Sequence, residues 1–119
     1  MKLYSFIINL ELISVYNPSI RITMQFLLLA YDGNDSGATD RRQGVRQEHL
    51  DKISLLKKRG EFLFGGAILN DEGKMIGSMV LYEFPDRAAL DQGLKDEPYI
   101  TENVWQKIEI RPFRLAKIE

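Results

Sequence analysis

The period of the hydrophobic positions changes along the chain, and each change predicts an element. Met24 to Tyr31, MQFLLLAY, is a continuous apolar run closed by Asp32-Gly33-Asn34-Asp35-Ser36-Gly37, the pattern of a well-buried strand followed by a loop. From Arg41 to Arg59 no proline interrupts a stretch rich in Arg, Gln, Glu, Leu and Lys, and Gly60 follows it. With Thr39 or Asp40 as N-cap, this predicts one helix. Val45, His49, Ile53 and Leu56 recur at helical spacing with Leu50 beside them, so that stripe is expected to face a sheet.

Glu61 to Leu69, EFLFGGAIL, has the aromatic and aliphatic content of a strand; Asn70-Asp71-Glu72-Gly73 then makes a hairpin turn, and Ile76 to Phe84 completes the pair. The glycines at 65 and 66 inside a strand predict a bulge or a close approach to the backbone. Arg87 to Asp96 reads as a shorter helix burying Ala88, Leu90 and Leu94, ended by Asp96-Glu97-Pro98-Tyr99 because the residue before proline disfavours helix. In Trp105 to Ile118, Gln106, Ile108 and Ile110 alternate with Trp105, Lys107, Glu109, Arg111 and Phe113, the period of a last strand, with Pro112 suited to an edge or bulge. The order β-α-β-β-α-β predicts a ferredoxin-like α+β fold: an antiparallel sheet with two helices on one face and the other face uncovered.

Composition narrows what such a domain does. With 119 residues, 45% hydrophobic and 28% charged, one core is expected, and a domain this small gains by burying a sheet face against a second subunit. A formal net charge of −1 gives no reason to expect nucleic acid or anionic lipid as a partner. The chain has no cysteine and a single histidine, so thiolate and histidine-rich metal sites are out of reach, and the lack of disulfides suits a reducing cytoplasm. Asp32, Asp35 and Asp40 lack the spacing of a calcium loop, and the loop at 33–37 lacks a P-loop lysine; neither metal nor cofactor is expected. Residues 1–23 do not fit the domain at 24–119. Glu11 interrupts their apolar stretch and no cleavage-site pattern follows, so they match neither a signal peptide nor a membrane span of about 20 residues. They are read as an extension preceding a native start at Met24, or alternatively as an extra strand or partner-binding arm.

Arg42, Arg46, His49 and Ile53 fall at i, i+4, i+7 and i+11, which places all four on one helix face running from guanidinium to imidazole to aliphatic, as at the rim of a pocket. Histidine suits general acid/base work because it titrates near neutrality, and two cations beside it would keep it available as a base. A carboxylate would fix its tautomer. Asp96 and Glu97, after the second helix, are the candidates. Ser78 is expected to be a polar contact of the helix-packed layer.

The opening strand ending in Tyr31-Asp32-Gly33, then Arg42-x-x-Val45-Arg46-x-x-His49-Leu50, Gly65-Gly66-Ala67, Gly77-Ser78 and Pro98-Tyr99 together resemble the YCII-related (YciI-like) proteins. The resemblance implies a dimeric α+β barrel, a homodimer joined through the open sheet face, and a His-Asp pair whose histidine matches His49. The family's aspartate stands just before Pro-Tyr or Pro-Phe, where this chain has Glu97. The function expected is a cofactor-independent lyase or isomerase: His49 handles a proton, Glu97 or Asp96 orients it, Arg42 and Arg46 hold a small anionic substrate, and Ser78 and Tyr99 line the pocket. The alternative is a non-catalytic dimeric module that binds a metabolite or accompanies a regulator.

Overall fold

The computed structural model describes residues 22–119; the expectations for residues 1–21 lie outside the described residues. The elements are β1 (Met24–Asp32), α1 (Ala38–Gly44), α2 (Arg46–Lys58), β2 (Phe62–Leu69), β3 (Met75–Phe84), α3 (Arg87–Gly93), α4 (Pro98–Thr101) and β4 (Trp105–Phe113). The strands form one sheet in the order β2-β3-β1-β4 with every neighbouring pair antiparallel, which is the ferredoxin-like topology.

Alternation along β1 and β3 assigns the two faces. Phe26, Leu28 and Ala30 pair with Tyr82, Val80 and Ser78 and point to the helices. There they join Leu56 of α2, Leu90 of α3, Leu94, Tyr99, Val104 and Trp105 in a single core. These side chains remove most of their apolar surface from water, at roughly 1.5–3 kcal/mol for a fully buried large residue. Leu27, Leu29 and Tyr31 pair with Leu81, Met79 and Gly77 on the other face, to which none of the helical core residues belongs.

Five expectations are corrected. The helix foreseen from Arg41 to Arg59 is two helices, broken at Val45, whose φ of −118° and ψ of 11° leave the helical region. Gly44 and Val45 are both poor helix formers, so the break falls where continuing the helix gains least. Its N-cap is Gly37 and not Thr39 or Asp40. Asp96 to Tyr99 does more than end a helix, because Pro98 opens the short α4, where its missing N–H costs nothing. The last strand stops at Phe113 and does not reach Ile118. Finally, the dimeric α+β barrel is overturned: β2 and β4 are the two edges of an open four-stranded sheet that does not close on itself, and a homodimer is correspondingly not shown.

At the predicted hairpin, Asn70 Oδ1 accepts from the backbone of Glu72 and Lys74 while Gly73 adopts φ 82°, the left-handed conformation that glycine takes without strain. Of the two strand glycines, Gly65 is the one pressed by a neighbour: a Cβ there would come within 2.6 Å of Met79 O, whereas one at Gly66 would meet nothing within 4 Å.

Candidate active site

The break at Val45 divides the polar helix face into two parts held by different walls. On α1, Arg42 turns inward and is buried. Its Nη1 donates to both oxygens of Asp32 at the end of β1, at 2.9 and 3.0 Å, and its Nη2 donates to Ser78 Oγ at 2.9 Å. Trp105, the first residue of β4, donates its indole N–H to the same Ser78 oxygen at 3.0 Å. The register shift in the β1–β4 ladder at Tyr31/Asp32 pairs Asp32 with Trp105 and so brings this corner together. The Arg42 guanidinium also lies 4.8 Å from the centre of the Tyr99 ring, within cation–π range.

On α2, His49 meets the carboxylate expected from the turn after α3. Its Nδ1 lies 2.6 Å from Glu97 Oε1, and the Glu97 side chain is completely buried. That same oxygen accepts the backbone N–H of Tyr99 at 3.0 Å, so Glu97 is the N-cap of α4 as well as the partner of His49. Capping is usually done by shorter side chains; here the extra methylene of glutamate lets one oxygen serve both donors. Because Oε1 accepts the Tyr99 N–H, the charge-assisted bond to the ring has Nδ1–H as donor, which leaves the neutral ring's lone pair on Nε2. Tyr99 stacks on the imidazole with ring centres 3.8 Å apart and planes 9° from parallel, and Trp105 meets its edge at 5.8 Å. The ring is therefore fixed in both position and tautomer.

Asp96, the other candidate carboxylate, is not at the site. It is largely exposed and pairs with Lys52 of α2, whose ammonium holds the Asp96 carboxyl below its usual range.

Arg42, Arg46, His49, Leu50 and Ile53 line one side of a pocket of about 110 Å³, and Phe62, Gly65, Gly66, Ala67, Ser78 and Val80 of β2 and β3 line the other, with Tyr99 between. Arg46 makes no hydrogen bond or ion pair with any described residue, in contrast to Arg42. Burial pushes the Tyr99 phenol above its ordinary range, partly offset by Arg42 and Arg46. Deeper in, the Tyr82 phenol is pushed up by burial and by the charge of Glu97, and Tyr82 Oη, Glu97 Oε2 and Arg42 Nε are buried without a hydrogen-bond partner. No cluster of three or more His, Asp or Glu disposed to hold a metal ion occurs among the described residues. Nor is any helix among them long and apolar enough to cross a membrane.

The structure thus brings Arg42, Arg46, His49, Ser78, Tyr99 and Glu97 to one place and leaves Asp96 outside it. Sequence reasoning missed Asp32 and Trp105. Asp32 stands at a strand end that reads as ordinary loop entry, and nothing in the spacing connects it with Arg42. Trp105 reads only as one position in the alternation of the last strand.

Residues 24–114 match the model of the YCII-related domain. The chain belongs to the YCII-related family. It is 30% identical over 97 residues to Protein YciI of Escherichia coli O6:H1 and to that of Shigella flexneri, covering 76% of this chain and 97% of each of those proteins. Among solved structures it is similar to a 5-chloro-2-hydroxyhydroquinone dehydrochlorinase from Burkholderia phenoliruptrix in complex with 2,5-dihydroxybenzoquinone, at 19% identity and a TM-score of 0.67 over 78% of this chain and 96% of that one. This YCII-related chain is also similar to a dimeric protein of unknown function and ferredoxin-like fold from Bacteroides fragilis, at 9% identity and a TM-score of 0.50 over the same shares of the two chains.

Proposed function

We propose that the pocket beside His49 is a cofactor-independent acid/base site for a small anionic metabolite, of the kind that serves a lyase or isomerase. The observation that carries this is the buried Glu97–His49 pair. With Nδ1 committed to Glu97, Nε2 is the only ring atom left to exchange a proton with a ligand, and His49 lines the pocket. Taking a proton there leaves the electron pair on the ligand. The pair then either expels a leaving group, as in a lyase, or recovers a proton at another atom, as in an isomerase. The Glu97 carboxylate offsets the positive charge that appears on the ring, and the Tyr99 and Trp105 rings keep it from turning.

Anion binding falls to Arg46, since Arg42 already spends its charge on Asp32. The pocket volume limits the ligand: a cavity of about 150 Å³ takes one benzene, so about 110 Å³ open to solvent suits a short acid or part of one small ring. The dehydrochlorinase it resembles binds an oxygenated ring, which favours that class as the first to try. The reading takes the protein to act in the cytoplasm, in keeping with a chain without cysteine.

The experiment is a titration with 2,5-dihydroxybenzoquinone and with small hydroxy-aromatic and keto acids, following the His49 ring nitrogens by NMR, with turnover assayed in parallel. Binding is expected to move Nε2 more than Nδ1, and His49→Gln is expected to lower any turnover by roughly 10²–10⁴-fold. Ligands that leave the ring unmoved, or turnover indifferent to His49→Gln, would sink the proposal. Tight binding without turnover would favour the non-catalytic module instead.

A further inference from the structure

Resting on that reading of the pocket, we infer that Ser78 is a one-way hydrogen-bond donor that selects a hydrogen-bond-accepting atom on the ligand. A hydroxyl has two lone pairs and one proton. Both lone pairs of Ser78 Oγ are taken, one by Arg42 Nη2 at 2.9 Å and one by Trp105 Nε1 at 3.0 Å. Neither a guanidinium nor an indole N–H can ever accept in return, so the Ser78 proton cannot point at either. Ser78 is buried, and among the described residues it donates to no other group. The pocket that Ser78 lines is what remains for it.

The direction of this bond is enforced from behind. Asp32 anchors Arg42 through both carboxylate oxygens, and Arg42 polarises the hydroxyl, so the chain Asp32, Arg42, Ser78 ends in a strengthened O–H donor. Asp32, Arg42 and Trp105 are on this account positioning residues, and Ser78 is the one that touches the ligand. The pocket then offers a donor at Ser78, a cation at Arg46 and a proton acceptor at His49 Nε2. The chemical class that fits all three is a small hydroxycarbonyl compound that presents a carbonyl or ionised oxygen to Ser78 and an acidic proton to His49. When that proton leaves, the electron pair it leaves behind delocalises onto an oxygen that Ser78 already holds. A ligand offering only an N–H at that point would face a second donor and be rejected, whereas a carbonyl, an ionised oxygen or a hydroxyl lone pair can accept.

A neutron structure of the wild-type protein in D₂O tests the orientation with no ligand needed: the Ser78 deuteron is expected to point into the pocket, and a deuteron bonded to a backbone carbonyl overturns the inference. Titration with 2,5-dihydroxybenzoquinone tests the recognition. Ser78→Ala is expected to weaken its binding roughly 10-fold or more while the Glu97–His49 bond keeps its NMR signature. Undiminished affinity in Ser78→Ala overturns the inference; if His49→Gln still abolishes turnover, the acid/base reading stands without it. Should the wild-type protein bind neither this probe nor pyruvate, the recognition and the acid/base reading fall together, and only the deuteron position survives.

Discussion

Asp32 at the end of β1 and Glu97 at the start of α4 are both buried carboxylates next to the pocket, with 4% and 0% of their side-chain surface exposed, yet their partners make them different devices. Asp32 holds a guanidinium, whose planar fork meets both carboxylate oxygens. Glu97 holds an imidazole through one oxygen, which also caps α4. The β1 side of the pocket is therefore a two-pronged ion pair that leads to Ser78. The α4 side is a single hydrogen-bonded contact that leads to the imidazole of His49. Both carboxylates stand behind the pocket, and the residues they hold, Arg42 and His49, line the same side of it.

Removing the two-pronged member should cost the most. Asp32→Ala leaves Arg42 buried with an uncompensated charge, and breaking a buried pair in this way typically costs about 3–5 kcal/mol; a urea titration should show a midpoint lowered to match. A loss below about 1 kcal/mol would mean that Arg42 swings out to water and the ion pair is not fixed. Glu97→Gln is expected to be milder, about 1–2 kcal/mol, because the amide oxygen still accepts the Tyr99 N–H. Its main effect should be on His49, whose ring nitrogens are expected to lose the signature of a charged partner. If instead Asp32→Ala perturbs the imidazole as much as Glu97→Gln does, the two pairs are not separate.

The fold was legible in the sequence wherever a pattern repeats: the strand alternation, the apolar stripe through Val45, His49, Ile53 and Leu56, and the Asn70 to Gly73 turn each follow from periodicity or local turn chemistry. The break at Val45 was not, since the i, i+4, i+7, i+11 spacing assumes a continuous helix and survives the break only because both helices face the same pocket. The site was half legible. His49 and its neighbours on one helix share a local period, whereas the choice of Glu97 over Asp96 depends on which of two adjacent side chains turns inward, and one residue along an irregular turn reverses direction. Asp32 and Trp105 join the site through a sheet register shift, a non-local event with no local signature.

Tyr82 tests how deep the burial beside Glu97 extends. Its hydroxyl is buried without a partner, so Tyr82→Phe removes an unpaid desolvation cost and should leave stability unchanged or raise it by up to about 1 kcal/mol at neutral pH. The effect should grow in alkali. Burial, with the Glu97 charge second, raises the folded-state phenol above its ordinary 10.0, so its contribution is complete below pH 10 and is lost as pH rises, because there the unfolded chain ionises and the folded one does not. The loss is about 1.4 kcal/mol for each pH unit above 10, and Tyr82→Phe should shift the alkaline unfolding midpoint upward. An unchanged midpoint would place the Tyr82 phenol in contact with water.

The smallest effect is expected one residue from the largest burial. Asp96 pairs with Lys52 on a surface where its own side chain is 77% exposed, and such pairs are worth little because water screens them and two side chains must be ordered. Asp96→Ala should therefore change stability by less than about 0.5 kcal/mol. The Lys52 hydrogen bond lowers the folded-state carboxyl below its ordinary 3.8, so what little the pair contributes is present above pH 3.8 and disappears as pH falls through the lowered value; the variant's acid unfolding should be slightly flatter there and unchanged at neutrality. The decisive reading is again His49. Asp96 and Glu97 are adjacent in sequence and carry the same charge, so if Asp96→Ala leaves the imidazole resonances in place while Glu97→Gln moves them, burial and direction, not proximity along the chain, decide which carboxylate governs the ring. Equal shifts from both would mean that the turn exchanges the two side chains, and that the α4 side is no more fixed than the surface beside it.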